Sequence, residues 1–156
     1  MFARILPAGT TVPCVIDGEA VSLPDSQNFP IIQGKTGETV HYAQSATVDL
    51  GIRAVESAGK AFQSWKRVPM KKRRDILNRA ADLLEQKVDE ITRRSTLETS
   101  CDDHWPSFDC SLAATLIRQN AATGMTTAGR IPPSDDDANT SLVFREPVGV
   151  VMIIPP

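Results

Sequence analysis

A chain of 156 residues with 17 Lys and Arg against 19 Asp and Glu has a net charge of −2. It lacks the basic excess that would favour nucleic acid or an anionic membrane as a partner. Aromatic residues make up 5% of it, too few for a base-stacking or aromatic-cage protein, so aliphatic and alanine packing must carry the core. The length predicts one domain, 1–156, able to bury a sizeable share of its surface.

Cys14, Cys101 and Cys110 are an odd set without close pairing, and no charged-then-apolar leader precedes them. That usage predicts a reducing, cytoplasmic setting. The longest apolar run is far too short to span a bilayer.

Residues 1–44 predict strands and hairpins. Val12 to Ile16, Asp17-Gly18 and Glu19 to Ser22 read as a hairpin, because Asp-Gly supplies the positive φ angles of a primed two-residue turn. Phe29 to Gln33 and Glu38 to Ala43 bracket Gly34-Lys-Thr-Gly37, a second turn. Its glycines have the wrong spacing for a phosphate loop, and no helix opens there.

Residues 45–133 predict three helices. Ser45 to Trp65 carries Val48, Ile52, Val55, Ala58, Ala61 and Phe62 at three- and four-residue steps. A second helix starts near Pro69, which the first turn tolerates, and runs to about Leu97 on an apolar stripe that includes Ile76, Leu84 and Ile91. Lys71-Lys-Arg-Arg74 works against the dipole at its start; it reads as a solvated face or, alternatively, as a nuclear signal or acidic-partner patch. The third helix, His104 to Thr126, has Asp102 or Asp103 as its cap.

Residues 141–156 predict strands. Ser141 to Arg145 alternates sides, and the β-branched run Val148 to Ile154 reads as a strand buried on both faces.

Several stretches together resemble one family. "RAVESAGKAFQSWKRVPMKKRRDILNRAADLLEQKVDEI", Arg53 to Ile91, looks like the paired opening helices of the aldehyde dehydrogenase superfamily. Glu98 to Ser134, with its Trp, Phe, "LAA" and "IPPS", is similar to the branch that contains salicylaldehyde and vanillin dehydrogenases. "REPVGVV", Arg145 to Val151, resembles the first strand of the family's cofactor-binding domain, with Pro156 matching the proline of a Pro-Trp-Asn motif.

The resemblance implies an α+β fold without a complete Rossmann sheet: three packed helices with short, mostly antiparallel strands. It also implies that the oxyanion-stabilising asparagine, the cofactor-binding residues and the cysteine nucleophile correspond to positions beyond Pro156. Aldehyde oxidation needs all of these, since a thiolate must attack the carbonyl and donors must hold the resulting oxyanion. No cofactor or metal site is therefore predicted, and the three cysteines read as small buried or half-buried side chains.

One polar constellation remains, Cys101-Asp-Asp-His104, with Asp109 and Cys110 a turn or so on. It has metal-ligand types, but neighbouring residues point in different directions and only Cys101 and His104 have easy tetrahedral spacing. As an acid–base site it offers His104, oriented by Asp103, in the right range for proton transfer near neutral pH. Its plainer reading is carboxylates capping a helix beside a half-exposed histidine. The family's matching helix lines the mouth of the aldehyde tunnel, so the resemblance implies an apolar or aromatic ligand contacted by Trp105, Phe108, Leu112 and Gln119. His41, without acidic or cysteine neighbours in sequence, has no predicted role.

Three functions stay open at this point: a cofactor-independent enzyme or binder of an aromatic or polyketide-like aldehyde, a non-catalytic interaction partner, and a non-functional remnant. Unpaired apolar strands at Leu142 to Phe144 and Val148 to Ile154 predict a homo-oligomer.

Overall fold

The computed structural model describes residues 10–155. Residues 1–9, the start of the predicted strand region, and Pro156 lie outside the described residues. In chain order the elements are β1 (Thr11–Val12), β2 (Cys14–Ile16), β3 (Glu19–Val21), β4 (Asn28–Ile32), β5 (Thr39–Gln44), α1 (Val48–Trp65), α2 (Met70–Glu85), α3 (Val88–Thr99) and α4 (His104–Thr126). The class is α+β as predicted, and its strands form two small sheets rather than a complete Rossmann sheet.

Both hairpins form. β2 and β3 pair antiparallel, Cys14 with Val21 and Ile16 with Glu19, across Asp17 at φ 56° and Gly18 at φ 78°, the two positive values that a primed turn requires. β4 and β5 pair antiparallel, with an irregularity between Ile31 and Ile32. β1 joins the free side of β5 in parallel, Thr11 opposite Tyr42, a pairing between distant segments that no local pattern announces.

Thr47 opens α1, its hydroxyl accepting from Leu50 N at 3.2 Å. That satisfies one of the four orphan donors at a helix start. At the other end Arg73 reaches back from α2 and donates to Trp65 O at 3.1 Å and Lys66 O at 2.8 Å. Its guanidinium also lies 5.7 Å from the Trp65 ring centroid. The basic run 71–74 is thus helical, with Arg73 committed to closing α1.

The predicted second helix is two helices. The chain leaves helical geometry at Lys87, φ −108° and ψ 6°, after Lys87 N closes a tight turn on Leu84 O at 3.0 Å. No glycine or proline marks the spot. Packing imposes the turn, because it allows both α2 and α3 to lie against α4.

α4 is the central helix, and its interface with α2 is built from small residues. Ala81 on α2 and Cys110, Ala114 and Ala121 on α4 are buried. A Cβ on Gly124 would lie 2.7 Å from Met70 Cε, so the end of α4 meets the start of α2 and the two run antiparallel. Arg118 locks them, donating to Glu85 Oε1 and Oε2 and to Asp82 Oδ1, each at 2.7 Å.

The strands predicted for 141–156 are the main departure. Ser141 to Arg145 contributes a single bridge, Val143 N to Arg130 O at 2.8 Å and Arg130 N to Val143 O at 3.1 Å. Val148 to Ile154 is not a strand: it pairs with none of the described residues, and Val148 is 95% exposed. β-branched residues favour an extended backbone, but a strand exists only where a ladder partner is present.

The accessible surface is 12190 Å², whereas a compact monomer of 17.0 kDa would expose roughly 7,700 Å². Much apolar surface stands open on α1, on α4 and along 142–154.

Candidate functional site

The constellation at the start of α4 resolves into three separate roles. Asp102 is the cap: its Oδ1 accepts from His104 N at 2.9 Å and Trp105 N at 3.2 Å. The neighbouring Asp103 turns away, its Oδ1 accepting from Thr96 Oγ1 at 3.0 Å and so tying α4 to α3. His104 is exposed, and no hydrogen bond joins it to Asp103. Among the described residues no group of three His, Cys, Asp or Glu side chains is placed to hold a metal.

Between α3 and α4 lies an open, mostly apolar groove of about 540 Å³, lined by Leu84, Ile91, Cys101, Trp105, Cys110 and Ala113, among others. Of the side chains predicted to contact a ligand, it contains Trp105. Phe108 packs against Trp105, ring centroids 6.1 Å apart and planes tilted by 38°. Leu112 and Gln119 are exposed along α4, outside the groove lining.

The cysteines sit as expected, Cys110 buried and Cys14 and Cys101 half-buried. Burial pushes the Cys110 thiol up, and the carboxylate of Asp109 adds to that, so its nucleophilic thiolate is disfavoured. Cys101 Sγ accepts from Thr99 Oγ1 at 3.0 Å.

Two contacts were out of reach of the sequence. His41 Nε2 lies 3.5 Å from Glu98 Oε1, and Ser100, in left-handed geometry at φ 59°, accepts from Lys35 N at 3.1 Å. Both join the β4–β5 hairpin to the end of α3. No local signal could have found them, since each depends on how distant segments dock.

The comparisons with known proteins agree on one family. The aldehyde dehydrogenase family model matches residues 22–156. A vanillin dehydrogenase of Pseudomonas sp. (strain HR199 / DSM 7063) is 34% identical over 145 residues, 93% of this chain and 30% of the relative. A salicylaldehyde dehydrogenase of Pseudomonas putida is 28% identical over 141 residues, 90% of this chain and 29% of the relative. Among solved structures, a salicylaldehyde dehydrogenase from Pseudomonas putida G7 complexed with salicylaldehyde superimposes with a TM-score of 0.83 at 27% identity, over 90% of this chain and 29% of that one. The chain spans about 30% of the length of the curated relatives it matches. By family match, relatives and fold together, the chain belongs to the aldehyde dehydrogenase family.

Proposed function

We propose that this chain serves as the opening segment of an aldehyde-oxidising assembly of the aldehyde dehydrogenase type, acting on aromatic aldehydes once a complementing segment covers it in cis or in trans. The observation that carries this is the open surface, 12190 Å² against roughly 7,700 Å² for a compact chain of this mass. An excess of that size, much of it apolar, favours association over an isolated existence. The residues from Val148 to Ile154 supply an extended apolar edge, and a sheet on the complementing segment would give it the ladder it lacks. The aromatic substrate class rests on the similarity to vanillin and salicylaldehyde dehydrogenases.

In this reading the 156-residue chain contributes shape and edges, while nucleophile, oxyanion donor and nicotinamide site come from the complement. Mixing it with a polypeptide equivalent to the remaining portion of vanillin dehydrogenase tests this. Stoichiometric binding, with reduced nicotinamide formed from vanillin only in the mixture, is the expected result. Failure of the two to associate overturns it.

A second reading has the groove beside Trp105 in its favour: a cofactor-independent binder or acid–base catalyst of an aromatic or polyketide-like aldehyde. It assigns proton transfer to His104 with Asp103, and ligand contact to Trp105, Phe108, Leu112 and Gln119. Ligand-dependent melting of the chain alone against aromatic aldehydes separates it from the first.

A further inference from the structure

α3 and α4 form two clefts that share no lining residue. One is the apolar groove beside Trp105. The other, of about 480 Å³, is lined by Asp89, Thr92, Arg93 and Thr96 of α3, Asp103 at the head of α4, and Ser107 one turn further on. Every one of these side chains is polar. Asp89, Arg93 and Asp103 are exposed, while Thr92, Thr96 and Ser107 are half-buried.

The bonding within the fold leaves much of this lining unmatched. Thr92 Oγ1 is a buried atom with no hydrogen-bond partner among the described residues, although the hydroxyls of Thr99, Ser111, Thr115 and Thr123 each donate to the carbonyl four residues back in their own helix. Asp103 accepts from Thr96 through Oδ1. Asp89 and Arg93 stand about one helical turn apart on α3, yet they form no ion pair with each other or with any other described residue. The neighbouring acids are already engaged, Glu90 by Lys87 and Glu85 by Arg118, each at 2.7 Å. A buried hydroxyl without a partner is unfavourable, and in a native site it is met by a ligand or a water.

The charges select the ligand. Two carboxylates flank one guanidinium, so the lining repels an anion such as phosphate. A diamine would satisfy Asp89 and Asp103 but leave Arg93 without an acceptor, and a neutral polyol would leave all three charges unmatched. The complement is a molecule with one carboxylate and two ammonium groups. Asp89 precedes Thr96, the partner of Asp103, by seven residues on α3, roughly 10 Å along the axis, which a four-carbon stem spans with a hydrogen bond at each end. We infer that this cleft is a binding site for a dibasic α-amino acid, with its carboxylate on Arg93 and the Thr92 hydroxyl and its two ammonium groups on Asp89 and Asp103. None of these residues belongs to the 148–154 edge, so the site and the proposed complementation fail independently.

Amide chemical shifts of the full chain, followed through a titration with L-lysine, test it. Saturable shifts confined to residues 89–96 and 103–107 are expected, with a dissociation constant on the order of 1 mM because the charged groups stand in water. L-Norleucine, which lacks the side-chain ammonium, and cadaverine, the diamine that remains without the carboxylate, should each bind roughly tenfold more weakly or worse. Arg93→Ala should make L-lysine no better a ligand than cadaverine. Thr92→Val, which keeps the side-chain shape without the hydroxyl, should weaken L-lysine several-fold, and unchanged shifts elsewhere in both variants control for folding. If L-lysine gives no saturable shifts, water alone meets the Thr92 hydroxyl and the inference is overturned. Cadaverine binding as well as L-lysine to the wild-type chain, or L-lysine affinity that survives Arg93→Ala, overturns it too.

Discussion

His41 Nε2 on β5 lies 3.5 Å from Glu98 Oε1 on α3, with the two side chains 12% and 29% exposed. With the Lys35 N to Ser100 Oγ bond it joins the three-stranded sheet to the helical layer. Because both partners are mostly shielded from water, the contact holds more than a surface pair would. Glu98→Ala is expected to lower stability by about 1 kcal/mol, read as a drop in melting temperature. His41→Ala should give a similar loss, and the double variant less than the sum, since both remove one interaction. Strict additivity would show the contact to be incidental.

Arg118 gives the α2–α4 interface its pH dependence. Its hydrogen bonds hold the Glu85 carboxyl below the ordinary glutamate range, so the folded chain keeps Glu85 ionised to lower pH than the unfolded chain does. A depressed folded pKa contributes stability that is present above the unfolded value and lost as pH falls through the folded one. Acidification below about pH 4.5 is expected to erode the melting temperature, and Arg118→Met should flatten that limb. Arg118→Lys should recover only part of it, because an ammonium lacks the fork that spans both oxygens of Glu85. A Met variant with an unchanged acid limb would place the titration elsewhere.

Much of the fold was legible from local rules. The β2–β3 hairpin follows from Asp17-Gly18, whose positive φ values need no tertiary support. α1 follows from its apolar spacing and the start of α4 from the Asp102 cap. The break at Gln86-Lys87 was not legible, since neither residue resists helix and the bend exists only because α4 asks both neighbours to lie on it. Val148 to Ile154 misled in the opposite way: its composition is that of a buried strand, but composition specifies an environment and cannot supply the partner. The placing of His104 relative to Asp103 was not legible for a related reason. Adjacent residues in sequence suggested that Asp103 would orient His104, whereas at a helix start successive side chains point apart, and Asp103 goes to Thr96.

Gly129 makes the bridge between Arg130 and Val143 tight. A Cβ there would collide with Val143 O, the acceptor of the Arg130 N–H bond at 3.1 Å. Gly129→Ala is therefore expected to break the bridge and release the segment. Faster amide exchange at Val143, with α2–α4 protection unchanged, is the readout, and retained protection at Val143 would refute the steric account.

At the head of α4 two neighbouring substitutions should behave differently. Asp102→Ala removes the acceptor for His104 N and Trp105 N and is expected to cost about 1 kcal/mol, the usual value of a helix cap. His104→Ala, on an exposed side chain outside the groove lining, should leave the melting temperature unchanged. If the chain turns over an aldehyde unaided, that same variant should lower the rate by roughly a hundredfold, whereas full turnover would remove His104 from any proton transfer.

Val151 separates folding from docking. At 65% exposure in a segment with no ladder partner among the described residues, it contributes little to the stability of the chain alone, and Val151→Asp should not shift the melting curve. In a sheet covered on both faces the same aspartate would be buried without a partner, at a cost of several kcal/mol. Binding to the complementing segment should accordingly weaken by about a hundredfold or more, measured by titration calorimetry. Val151→Ile, which keeps the β-branched shape and adds one methylene, should retain affinity. Equal binding by the Asp variant and the wild-type chain would mean that 148–154 stays in water in the assembly, and that the complement covers α1 or α4 instead.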